Sequence, residues 1–303
     1  MRASCLLLLA SLRLVSVRDL PAQQPAGTTL PAVVSSDWLA RSDEADSLVV
    51  VQVDRDPENY RAGHIPGARF LALRDIAVTR AGLPNELPAL ADLVPRLEAL
   101  GISTGSRVVV TGDPLGAARL FFTLEYLGFS GRVALLDGGT ARWKAEGRDL
   151  RTDAPAVAPG RLLPSPRPDL LVDAEWIASR LGDPSLLLLD ARPAAEYLGL
   201  QAGEGIGRPG HLPGARNFFW RLALTAPEPA VLKDPAVLAK LLGRLGVGPG
   251  RDLVVYCRTG VQASYLYVVL RALGYQPRLY DASYIDWSAR SALPVETGQA
   301  TGP

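Results

Sequence analysis

Cys257 stands between two apolar runs, Leu253 to Tyr256 and Tyr265 to Leu273, separated from the second by Arg258-Thr259-Gly260-Val261-Gln262-Ala263-Ser264. The shorter run reads as a buried strand and the longer one as a helix, so the cysteine falls where a strand ends and a helix begins. In an open α/β sheet, ligands bind at that end of the strands. A short glycine-containing loop turns backbone N–H groups inward, and the helix behind it presents its positive end to the same point. Such a cradle predicts a depressed thiol pKa and room for an anion bonded to the sulfur. An isolated cysteine is more often an inert core residue. Here the strand-to-helix position favours chemistry, with Cys257 as the nucleophile.

Other candidates are few. The second cysteine, Cys5, lies in an apolar N-terminal run, and two histidines with one methionine leave the chain poor in metal ligands. No metal site is expected. His64 and His211 both sit in Gly-His-x-Pro-Gly turns and read as hydrogen-bonding braces, not bases. Asp190 and Arg192 read as ties between a strand and its loop, and Trp143 and Trp287 as core anchors.

The elements that position Cys257 occur twice, at an offset of about 145 residues, far longer than a solenoid unit. Ser36-Asp37-Trp38-Leu39-Ala40 is echoed by Asp173-Ala174-Glu175-Trp176-Ile177-Ala178, each opening a helix. The apolar runs Ser47 to Val53 and Ser185 to Leu189 end at Asp54 and Asp190. Gly63-His64-Ile65-Pro66-Gly67-Ala68 is matched by Gly210-His211-Leu212-Pro213-Gly214-Ala215. Second strands follow at Arg107 to Thr111 and Leu253 to Tyr256, then Asp137-Gly138-Gly139 with Trp143 and Asp281-Ala282-Ser283 with Trp287. Apolar strands alternating with helices predict an α/β chain of two tandem domains, each an open, mostly parallel sheet with helices on both faces. The first spans residues 33–148, a proline-rich linker 149–169, and the second 170–296. The repeat sets Gly112 opposite Cys257, so the first copy cannot do thiolate chemistry. Its loop, Thr111 to Ala118, reads as a retired site of equal length packed against its sibling.

The paired Asp-x-Arg, Gly-His-x-Pro-Gly-Ala, Cys-Arg-x-Gly-Val-x-Ala and Asp-Gly-Gly-x-x-x-Trp motifs, with cysteine only in the second copy, resemble the tandem rhodanese family over residues 33 to 296. That family includes thiosulfate and 3-mercaptopyruvate sulfurtransferases. The resemblance implies that Cys257 takes a sulfane sulfur as a persulfide from a small anionic donor. It then passes the sulfur to a thiophilic acceptor such as cyanide, a small thiol or a protein thiol. No metal or organic cofactor is implied. By motif match the substrate-binding loop is Arg258, Thr259, Gly260, Val261, Gln262 and Ala263.

There are departures. Thr259 stands where vertebrate thiosulfate enzymes carry a basic residue, and large Arg258 begins what is a Gly-Ser-Gly run in mercaptopyruvate enzymes. Glu196 stands where both groups place a substrate-holding Arg. Arg258 and Arg208 are the nearest replacements for the missing positive charge. Two alternatives stand beside turnover: a persulfide carrier that delivers to a partner, and, more remotely, a cysteine phosphatase or arsenate reductase of the Cys-x5-Arg kind. Ala263 occupies the place of that clamping Arg.

Thirty-two basic against thirty-one acidic residues leave no long-range field that would mark a nucleic-acid or membrane partner. Residues 1–27 combine Arg2, the apolar stretch Cys5 to Leu12 and a small or polar tail, and read as an export signal. The mature chain is then expected in the periplasm or secreted, the alternative being the cytoplasm, with no membrane-spanning segment left.

Overall fold

The computed structural model describes residues 29–42 and 48–298. Cys5 and the stretch read as an export signal lie outside the described residues. The first half runs β1 (Val33–Val34), α1 (Ser36–Arg41), β2 (Leu48–Asp54), α2 (Pro57–Ala62), β3 (Arg69–Ala72) and a hairpin of β4 (Val78–Arg80) with β5 (Leu83–Glu86). It continues through α3 (Leu90–Ala99), β6 (Arg107–Gly112), α4 (Pro114–Tyr126), β7 (Val133–Leu136) and α5 (Gly139–Ala145). The second half runs β8 (Leu171–Val172), α6 (Ala174–Ala178), β9 (Leu186–Asp190), α7 (Ala194–Tyr197) and β10 (Arg216–Asn217). Then come α8 (Pro235–Gly243), β11 (Asp252–Tyr256), α9 (Val261–Ala272), β12 (Arg278–Tyr280) and α10 (Ser283–Ala289).

Each half forms a five-stranded sheet, ordered β1-β7-β6-β2-β3 and β8-β12-β11-β9-β10, with every pairing parallel. The two orders are one topology written twice. Side chains alternate across each strand, and the central strands bury both faces. Val108 and Val110 enter a core shared by the two domains, while Val109 between them faces a core with Leu39 of α1 and Trp143 of α5. In the second domain Val255 joins the shared core, and Val254 and Tyr256 pack with Ile177 of α6 and Trp287 of α10.

Helices α4 and α9 meet across that shared core, and Phe122 and Tyr267, equivalent in the repeat, touch edge to face at 5.0 Å between centroids. The interface is close to two-fold. The N–H of Leu87, just past the β4–β5 hairpin, donates to Asp281 Oδ2 at 3.0 Å, and that of Leu232 in the second domain donates to Asp137 Oδ1 at 2.8 Å. Each domain thus reaches the end of the other's β7 or β12 strand.

The histidines are braces. His64 stacks on Tyr60 and His211 on Tyr197, with centroids 3.8 Å apart in both cases, and each Nδ1 bonds the carbonyl of its tyrosine. The proline-rich stretch 149–169 is strapped to the first domain. Gly160 donates to Glu98 O, Ser165 to Leu127 O and Arg167 to Tyr126 O, and Leu162 is buried.

Candidate active site

Strand β11 ends at Tyr256, and Cys257 to Gly260 turn the chain into α9. Gly260 makes the turn at φ +84°, and a Cβ there would stand 2.6 Å from Asp281 Oδ1 and 2.7 Å from Asp281 O. Only glycine fits. The loop backbone is held by its neighbours: Cys257 N–H donates to Ser283 Oγ at 3.2 Å, Tyr284 N–H to Cys257 O at 3.0 Å and Ile285 N–H to Arg258 O at 3.1 Å. Ser264 Oγ donates to Gly260 O at 3.0 Å.

Cys257 is 1% exposed. The backbone N–H groups of Ala263, Thr259 and Gln262 all point at its sulfur. The expected cradle is therefore present, but the expected depression of the thiol pKa is not. Burial pushes the thiol up, and this outweighs the downward pull of the three N–H donors. The donors are in place for an anion, whose formation on the sulfur in this dry setting depends on them.

The loop side chains divide. Val261 and Ala263 are buried in the interior, so Ala263 meets the sulfur through its N–H. Thr259 Oγ1 accepts from Asn85 Nδ2 of the first domain at 2.9 Å. Gln262 Oε1 is buried without a partner. Arg258 is half-buried and makes no side-chain hydrogen bond or ion pair among the described residues. Its Cδ and Nη1 stand 2.8 and 3.2 Å from the point where a Cβ on Gly203 would lie, and Glu196 Oε2 stands 2.9 Å from that point. That carboxylate oxygen is buried and unpartnered. A free cation and an unpaired anion thus flank Gly203 next to the cysteine loop.

The structure does not bring Arg208 to the loop. Its guanidinium donates to the carbonyls of Ser288, Trp287, Arg290 and Leu293 at 2.7 to 3.1 Å. Carbonyls at the end of a helix lack intrahelical partners, and closing α10 occupies the donors that an oxyanion would need. Arg192 ties β9 to the Gly-His turn, bonding Asp190 at 2.5 to 3.1 Å and Gly210 O at 2.8 Å. Arg55, its apparent counterpart in the first copy, is exposed.

The first copy's site is closed, and its loop does not keep the conformation of the second. Helix α4 begins at Pro114, with the Asp113 carboxylate accepting the Gly116 N–H at 2.8 Å. Gly260, which caps α9, offers no such side chain. A Cβ on Gly112 would stand 2.5 Å from Val53 O, so a cysteine has no room there, and the helix's own carboxylate occupies the end where an anion would bind.

Three residues outside the predicted set complete the site from behind: Asn85, Asp281 and Arg119. Arg119 is fully buried and donates to Asp281 Oδ1 at 2.5 Å and Oδ2 at 3.0 Å. None carried a local sequence signal beyond the repeat of Asp281 with Asp137.

Two stretches, 35–146 and 173–290, match the family model described as Rhodanese-like domain. The chain is 33% identical over 272 residues to the thiosulfate sulfurtransferase of Pseudomonas aeruginosa, covering 88% of this chain and 97% of that one. It is 36% identical over 247 residues to a probable 3-mercaptopyruvate sulfurtransferase of the same organism, covering 79% and 86%. It is 32% identical over 288 residues to the sulfur carrier protein TtuD of Thermus thermophilus, covering 88% and 97%. Among solved structures, the anaerobic ergothioneine biosynthesis enzyme of Chlorobium limicola, bound to trimethyl histidine, shares the fold at a TM-score of 0.78 and 23% identity, covering 88% of this chain and 70% of that one. With both halves matched and such relatives aligned along most of its length, the chain belongs to the rhodanese family of sulfurtransferases.

Proposed function

We propose that Cys257 carries sulfane sulfur from a small anionic donor, thiosulfate foremost, to a thiophilic acceptor such as cyanide or a thiol. The observation that carries this reading is the convergence of three backbone N–H groups on the Cys257 sulfur at the start of α9. In the first half-reaction the thiolate attacks the outer sulfur of thiosulfate, the donor's S–S bond breaks, and sulfite leaves with the bonding pair. The persulfide remains anionic within the N–H cradle, which stabilises charge without reorganising. In the second half-reaction the acceptor attacks the outer persulfide sulfur and Cys257 leaves as thiolate. Arg258, the unpaired cation beside the loop, is the side chain suited to hold the donor's sulfonate.

The test is steady-state transfer from thiosulfate and from 3-mercaptopyruvate to cyanide, with mass measurement of the protein. Wild type should turn over and show a gain of one sulfur, and Cys257→Ser should do neither. Turnover retained in Cys257→Ser would overturn the assignment. One persulfidation without turnover would instead make the chain a carrier, the role that names its Thermus thermophilus relative. Export is part of the proposal: the native N-terminus should then fall between Ala22 and Leu30, and an intact Met1 would refute it.

A further inference from the structure

We infer that Arg119, from the domain without a reactive cysteine, is a positioning residue for the Cys257 cradle and acts through Asp281. The inference rests on the reading of Cys257 as the sulfur carrier. Arg119 lies in the middle of α4, fully buried, and its guanidinium grips both oxygens of the Asp281 carboxylate. Asp281 Oδ1 in turn stands where a side chain on Gly260 would be. Gly260 is the residue between Thr259 and the α9 turn that supplies the Gln262 and Ala263 N–H groups, so the fixed carboxylate forms the back wall of the cradle. The second Arg119 nitrogen also donates to Asn85 O at 2.6 Å. Asn85, at φ +63°, then donates its side-chain amide to Thr259 Oγ1. One guanidinium therefore sets two contacts on the loop, one behind Gly260 and one on Thr259.

The internal repeat supplies the control. Asp137 and Asp281 are equivalent, and each accepts one backbone N–H from the opposite domain, from Leu232 and Leu87. Only Asp281 also receives a buried guanidinium. The residue equivalent to Arg119 in the second half is Ser264, whose hydroxyl holds Gly260 O from inside the domain. The Arg271–Glu125 pair between α9 and α4 is one-sided as well, so what sets Arg119 apart is its two contacts on the cysteine loop. A buried ion pair is also a weak source of stability, since apolar side chains of like volume often do as well. The Arg119–Asp281 pair stands on the side with a cysteine and is missing on the side that Asp113 and Gly112 have closed.

The test compares Arg119→Lys and the double variant Arg119→Met/Asp281→Asn with wild type in melting temperature, kcat and KM for thiosulfate, and the pH profile of Cys257 alkylation by iodoacetamide. Lysine keeps the charge but not the two-pronged grip, and the double variant leaves no unpaired buried charge, so both should fold with melting temperatures near wild type. We expect kcat to fall about ten- to hundredfold in each, the scale for a misplaced reacting group. KM should change little, and the alkylation profile should move to higher pH. Wild-type kcat and alkylation in either variant would show that the pair only joins the domains and would overturn the inference. If wild type itself transfers no sulfur, the functional reading fails, while the alkylation profile still decides the role of Arg119.

Discussion

Replacing Glu196 with Gln should raise kcat/KM for thiosulfate. The carboxylate's Oε2 is buried without a partner and flanks Gly203 together with the Arg258 guanidinium, with no ion pair formed between them. A dianionic donor held by Arg258 therefore meets a negative charge a few ångströms away. Two unit charges about 6 Å apart at an effective dielectric near 20 interact by roughly 3 kcal/mol. Water and salt around the half-buried Arg258 remove much of this, leaving about 1–1.5 kcal/mol of relieved repulsion, or roughly five- to tenfold in efficiency. Glutamine has the same shape, so packing against Gly203 is kept. The assay is initial-rate kinetics with saturating cyanide at low ionic strength and again in high salt. The gain should shrink as salt screens the lost charge. An unchanged or lower efficiency, or a gain indifferent to salt, would refute the electrostatic reasoning and place the donor elsewhere.

Arg258→Ala should lower thiosulfate efficiency tenfold to a hundredfold, the scale of a charge-assisted hydrogen bond of roughly 1.5–3 kcal/mol. Its melting temperature should not change, because the guanidinium makes no side-chain bond that the fold needs. Kinetics and a thermal melt together check both halves of this statement. Glu86 lines an interdomain cleft of about 690 Å³ beside Asp281. Burial, followed by the Asp281 charge, pushes its carboxyl up from 4.5 to about 7. The folded state then binds this proton more tightly than the unfolded chain, so the group's cost to stability is absent below about pH 4.5, grows as pH rises, and is complete above about 7. Glu86→Gln should accordingly melt several degrees above wild type at pH 8 and together with it near pH 4.5, as scanning calorimetry at both pH values would show.

Strand, turn, helix and strand were legible twice in the sequence because their signals are local. Unbroken apolar runs, the Gly-His-x-Pro-Gly turns and the place of Cys257 after Tyr256 each depend on a few adjacent residues. The closure of the first copy was also written locally, in Asp113 followed by Pro114, a cap and first-turn pair. Matching loop lengths across the repeat concealed it. The rest lay beyond any local reading. Arg208 faces carbonyls some eighty positions along the chain, and nothing near it in sequence announces that α10 ends there. The Thr259 partner, Asn85, is 174 residues away, and Arg119 is 162 residues from Asp281. Even the direction of the thiol pKa belongs to the tertiary structure. The N–H donors that lower it come from the cysteine's own loop, whereas the desolvation that raises it comes from side chains gathered by two domains, and desolvation exists only once the chain has folded.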